Sequence, residues 1–140
     1  MHNPTNNENS LPAFTDAALE AMSNIIVTAT EGGCYTRDDF HEWKKYKHGD
    51  QPNGRFYAEV TLTPSPDAHP ENAILPDIRM TPEELGRRLY LRLLDPKIAS
   101  HHRAFIARLI AGDEDVAGDM DVVDSGAMLQ IAVYGEVIFG

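Results

Sequence analysis

Hydrophobic positions recur along this chain with two different spacings, and the change between them marks out its elements. From Thr15 onward, Leu19, Met22, Ile26 and Ala29 follow helical spacing on one stripe; Thr15 or Asp16 can cap its start and Gly32-Gly33 can end it. The β-branched run Ile25-Ile26-Val27-Thr28 would also suit a buried strand. Between residues 34 and 80 the period becomes two. In FYAEVTL, Phe56, Ala58, Val60 and Leu62 alternate with Tyr57, Glu59 and Thr61, as a strand with one buried face requires. The preceding HEWKKYKH is its expected hairpin partner, since HGDQPNG between them is dense in turn residues. After a Pro-rich loop at 64–73, Ile74, Ile78 and Met80 alternate again, and Pro76 confines that segment to a sheet edge.

Helical spacing then returns. TPEE at 81–84 combines an N-cap threonine, a proline at the first helical position and a glutamate placed to close a capping box; Leu85, Leu89 and Leu93 supply the buried stripe. That helix is expected to end at Asp95-Pro96. Ser100 is the expected cap of the next, with Phe105, Ile106, Leu109 and Ile110 inward and Gly112 past its end. The last apolar segment, SGAMLQIAVYGEVIFG, predicts a helix from about Ser125, with Gly135 and a β-branched tail breaking its final turn. The pattern predicts an α+β domain over 14–140, a small antiparallel sheet of about three strands packed against about four helices, preceded by a flexible polar arm at 1–13.

Composition narrows the classes. A chain of 140 residues with 42% hydrophobic content can bury a full core without metal or disulfide support, and its single cysteine, Cys34, forms no intrachain bridge. Cys34 follows a helix C-terminus, where the dipole does not favour a thiolate, so an inert thiol is expected. The N-terminus lacks the basic start and apolar core of a signal peptide, and no apolar run approaches ~18 residues, which points to a cytoplasmic protein. The net charge of −10 is unevenly spread: residues 109–140 carry seven acidic side chains and no Lys or Arg. That distribution disfavours direct binding of a nucleic-acid backbone and favours basic partners, cations or simple solubility.

The densest acidic stretch is GDEDVAGDMDVVDS, which joins two predicted helices. Counted from Asp113, the carboxylates of Asp113, Asp115, Asp119, Asp121 and Asp124 stand at positions 1, 3, 7, 9 and 12 and Gly118 at 6, the layout of a calcium-binding EF-hand loop. Ala117 at position 5 and the short Asp124 at position 12 depart from it. The same residues have a simpler use, with Asp121 or Asp124 capping the following helix and the other carboxylates in water. A third use is partner docking through Asp113, Glu114, Asp115, Asp119 and Asp121.

Two other groups are candidates for ligand binding. Arg88 and Arg92, four residues apart on one helix face, could clasp a phosphate or carboxylate, or pair with the acidic ends of the chain. Trp43 and Tyr46, interleaved with Lys44, Lys45 and Lys47, form an aromatic-basic cluster on the predicted hairpin. His101 and His102 are adjacent, not spaced to grip zinc, and are expected to be surface residues at a helix start.

TATEGGCY (28–35) and QIAVYGEVIFG (130–140), with the GDMDVVDS lead-in, resemble small uncharacterised proteins encoded in phages and other mobile elements, in which an EGG-aromatic segment and a closing Q-x-A-x-[FY]-G-E-V-x-[FY]-G segment recur. The resemblance covers about a third of the chain and carries no catalytic residue. It implies a context in which small acidic proteins bind host components, such as an inhibitor of a host defence system that occupies a basic nucleic-acid-binding surface. The expectation is a non-enzymatic acidic binding protein without a cofactor. Two alternatives stand beside it: a small-ligand or nucleotide-sequestering protein using Arg88, Arg92, Trp43 and Tyr46, and a calcium- or magnesium-binding domain using the 113–124 loop.

Overall fold

Thr15 opens the first helix as expected: its hydroxyl accepts from the Ala18 amide at 3.1 Å, satisfying one of the unpaired amides of the first turn. The computed structural model describes residues 13–33, 36–68 and 75–139; the arm expected at 1–13, apart from Ala13, and Cys34 lie outside these. Helix α1 (Asp16–Glu31) buries Ala18, Ala21, Met22, Ile25, Ile26 and Ala29, more than a single stripe. The extra burial follows from its position, packed on the sheet through β2 and also against all four of the other helices among the described residues.

The sheet is antiparallel in the order β1 (Phe40–Asp50), β2 (Phe56–Pro64), β3 (Ile78–Met80). The hairpin turn is closed by the Gly54 amide on the Gln51 carbonyl at 2.8 Å, with Gly54 in the left-handed region at φ 84° that a side chain would strain. In β2, Ala58, Val60 and Leu62 face the core as predicted. β1 departs from strict alternation. Phe40 pairs with Pro64 but Glu42 with Thr63, and Lys44 pairs with Thr61 but Lys47 with Glu59, so each interval carries one extra residue in β1. Lys45, with φ 55°, sits in the second interval. Two bulges therefore bring Phe40, Trp43 and Tyr46, each three residues apart, onto the core side of the sheet. A flat strand would have turned Trp43 to the opposite face from Phe40 and Tyr46.

Helix α2 (Pro82–Tyr90) starts on Thr81, whose hydroxyl accepts from the Glu84 amide at 3.1 Å. Only this half of the expected capping box forms, because the Glu84 carboxylate turns to Arg87 and Arg88. The helix stops at Tyr90, not at Asp95; Leu93 still packs half-buried against the core, but Leu91 is 60% and Leu94 86% exposed, too little burial to sustain another α-helical turn. The chain instead passes through tight turns such as Arg92 N–H to the Leu89 carbonyl. Helix α3 (Ser100–Ala111) also corrects an expectation: Ser100 is its first helical residue, and Ala99 occupies the cap position with no side-chain bond. It closes in a Schellman motif, with Gly112 at φ 73° and the Asp113 amide on the Arg108 carbonyl.

After the single turn α4 (Val116–Asp119), helix α5 runs Val122–Tyr134, three residues earlier than predicted. Asp121 accepts from the Asp124 amide while Asp124 accepts from the Asp121 amide, and this reciprocal box draws two β-branched valines into the first turn. Residues 125–132 of α5 are all buried, which explains why its sequence reads as one apolar run without a polar face. The core joins Met22 and Ile26 of α1, Leu62, Met80, Leu85, Leu89, Leu109 and Met128 into one cluster. The architecture is α+β, and among the described residues no helix is long and apolar enough to cross a membrane.

Candidate functional site

The acidic run divides by role once folded. Arg108 reaches Asp113 through Nε and Asp119 through Nη2, both at 2.7 Å, and so ties the two ends of the loop together. The Arg108 hydrogen bond holds the Asp113 carboxyl below the usual range. Asp121 and Asp124 are the capping box. Gly118 does not adopt a left-handed bend and lies within α4. Among the described residues, no three His, Cys, Asp or Glu side chains gather as a metal set. Glu114 and Asp115 stay exposed, with no ion pair among the described residues. Between α1 and this loop lies an open groove of about 380 Å³, lined by Glu20, Asn24, Asp113 and Glu114 over a floor of Ala17, Ala21 and Ala117.

Arg88 and Arg92 do pair within the molecule, but with neighbours and not with the acidic ends. Arg88 bonds Glu84 and reaches the Ala132 carbonyl at 3.3 Å; Arg92 lies 3.4 Å from Asp95. Arg92 also packs on Gly135, where an added Cβ would stand 2.9 Å from its Nη2. Trp43 donates to the Arg37 carbonyl at 2.9 Å and Tyr46 to Glu31 at 2.6 Å. The two arginines and the two aromatics thus occupy different elements, each held by its own partners.

A third region was not visible in the sequence. Thr36 and Asp39, just before β1, meet His102 of α3, Val123, Ala127 and Gln130 of α5, and Val137 and Phe139 of the C-terminal segment around a cleft of about 180 Å³. Gly126 lets α5 come this close, since a Cβ there would stand 2.5 Å from Thr36 Cγ2 and 3.1 Å from Asp39 Oδ2. Gln130, 3% exposed, holds the C-terminal segment against α5: its Oε1 accepts from the Ile138 and Phe139 amides, both at 2.8 Å, and its Nε2 donates to the Phe139 carbonyl. Tyr134 extends the same connection by donating to the Asp39 carbonyl at 2.7 Å and accepting from the Ser65 amide. Burial pushes the Asp39 carboxyl up to about 6, with nearby Asp38 adding to the shift and Gln130 opposing it. Burial and the neighbouring His101 lower the His102 imidazole against the pull of Asp124.

His102, expected as a surface residue, is therefore half-buried at a cleft. Gln130 did carry a signal: it is a polar side chain inside an apolar run, and such residues are buried only with partners. Asp39 carried none, because its burial comes from α5 and the C-terminal segment, about ninety residues away in the chain.

The outer face of the sheet is a further polar surface, lined by Lys45, Lys47, Glu59, Thr61, Asp77 and Arg79. Glu59, 5% exposed, receives Arg79 Nε at 2.9 Å and Nη2 at 2.8 Å as well as the Tyr57 hydroxyl. The Arg79 hydrogen bonds, against the opposing effect of burial, bring Glu59 down to about 2. A carboxyl lowered on folding contributes stability that is present above its unfolded pKa, near 4.5, and is lost as pH falls toward about 2. Glu59→Gln is expected to reduce stability at pH 7 by on the order of 1–2 kcal/mol, screened because Arg79 is largely exposed, and to flatten this acid limb. Urea midpoints across that range check it; parallel pH profiles for the two proteins would count against the pairing.

Comparison with family models, with curated proteins and with solved structures gives no match to this chain. The class is thus an α+β domain with an acidic groove on one side and a small, partly apolar cleft on another.

Proposed function

We propose that this protein is a non-enzymatic binding protein that docks a basic segment of a partner protein on its acidic groove. The observation that carries the reading is the groove itself: Glu20, Asp113 and Glu114 stand around alanine methyls. A lysine or arginine can lay its stem on such a floor and direct its charge to the rim. Exposed Glu114 and Asp115 extend the negative surface outward and would steer encounter. Arg108 supports the reading by holding the loop in shape, which lowers the ordering cost on binding. In a mobile-element protein, a surface of this kind competing for the nucleic-acid-binding face of a host protein would inhibit a defence system.

Glu114→Lys with Asp115→Lys reverses charge at two exposed positions outside any ion pair among the described residues. The tagged protein should capture a basic host protein from bacterial lysate at low salt, lose it at high salt, and lose it in the double variant. Nucleic acid should compete for the captured protein. Capture insensitive to both salt and charge reversal would overturn the proposal.

A further inference from the structure

The cleft beside Gln130 has a composition that the groove lacks: one buried carboxylate lining it together with apolar side chains, two of them exposed. Asp39 is 7% exposed, and among the described residues no cation pairs with it. Val123, Val137 and Ile138 are among the few large hydrophobic side chains left exposed; the first two line this cleft, and Ile138 adjoins Val137 in the chain. Ala127 and Phe139 complete the apolar wall. At about 180 Å³ the cleft is smaller than the roughly 300–1,000 Å³ of sites for drug-sized ligands, which excludes a nucleotide and suits one side chain.

We propose that this cleft binds a single primary ammonium group on an apolar stem, the end of a lysine side chain or a free alkylamine, with Asp39 as its counter-ion. The stem lies along Val123, Ala127, Val137 and Phe139, as lysine stems lie on apolar surface elsewhere. The ammonium meets the Asp39 carboxylate in a site sheltered enough to strengthen the pair. The unliganded state favours such a guest. Burial holds Asp39 near a pKa of about 6, so ionising it in the empty cleft is costly, and an arriving cation relieves that cost. Among the described residues, Asp38 from the same turn, His102 from α3 and Tyr134 from α5, whose hydroxyl donates to the Asp39 carbonyl, are the other titratable groups around it, with His101 and Asp124 acting on His102. The lowered imidazole stays neutral at pH 7 and does not repel the guest. This site lies apart from the α1 groove and stands whether or not that groove docks a partner.

The test uses n-butylammonium and Nα-acetyl-lysine methylamide as ligands, and Nα-acetyl-norleucine methylamide as the uncharged match, in amide NMR titrations of the full chain. Saturable shifts are expected at Asp39, Val123, Gln130 and Phe139 with either ammonium ligand. Norleucine should bind about ten- to a hundredfold more weakly, the margin of a charge-assisted hydrogen bond. Binding should weaken as pH falls below about 6, where Asp39 takes up its proton. Asp39→Asn should lose the ammonium preference while keeping its fold. Should that variant fail to fold, Val123→Phe, at an exposed position on the rim, decides instead: closing the mouth should abolish the shifts. Binding by the lysine diamide alone identifies a peptide source, and binding by both admits free amines; each supports the site. Equal binding of norleucine, an unchanged affinity in either folded variant, or no saturable shift at these residues would overturn it.

Discussion

Gly32→Ala is expected to destabilise this protein by about 1–3 kcal/mol, because a methyl group at position 32 has no room. An added Cβ would stand 1.9 Å from Val122 Cγ2 and 2.9 Å from the Thr28 carbonyl oxygen. Neither neighbour gives way easily, since Val122 has a stiff β-branched side chain in the first turn of α5 and Thr28 belongs to the backbone of α1. Gly32 itself has φ −69°, an ordinary helical value, so the cost is one of space and not of conformation. The contact sets how closely the end of α1 approaches the start of α5. Chemical denaturation of Gly32→Ala, Val122→Ala and the double variant measures it: the second substitution should recover much of the loss caused by the first. Additive effects in the double variant would show that the two positions do not compete for the same space.

The second large effect is expected at Gln130. Gln130→Leu keeps the volume and removes the bonds to the Ile138 amide and to the amide and carbonyl of Phe139. Each bond contributes roughly 0.5–1.5 kcal/mol, and a backbone group left buried without a partner costs more, so a loss of about 2–4 kcal/mol is expected if the segment stays docked. If it detaches, the loss is smaller and the Val137–Phe139 wall of the cleft opens. Amide hydrogen exchange separates these outcomes from no effect: protection at Ile138 and Phe139 should collapse toward that of an exposed segment. Protection equal to that of the parent protein would mean that Gln130 does not hold this segment.

Much of the fold was legible because several of its signals are local. The N-cap at Thr15, the Thr81-Pro82 start of α2, the Gly54 turn and the alternation in β2 each depend on residues within a few positions of one another. The errors came where a distant partner decides. The extension of α2 to Asp95 assumed that helical spacing continues through Leu93; Leu93 does pack half-buried against the core, but from a turn, with Leu91 and Leu94 exposed on either side of it. Regular alternation in β1 assumed a flat strand, and two bulges were needed to put Phe40, Trp43 and Tyr46 on one side. Phe40 then stacks on Tyr134 at 5.3 Å and meets Trp43 edge-on at 5.2 Å.

The candidate surfaces divide in the same way. The acidic run was visible as charge, and its capping use followed from the spacing of Asp121 and Asp124; its engagement with Arg108 depended on the Schellman turn at Gly112, which reverses the chain toward that guanidinium. By itself, the sequence determined the class of fold, the starts of α1 and α2, the hairpin and the negative charge of residues 109–140, because propensity, capping and charge act over a few residues. Only the tertiary structure decided that Asp39 is buried beside His102 and Gln130. Its burial is a sum of contacts from α5 and the C-terminal segment, and a carboxylate acquires its environment from whatever the fold places around it.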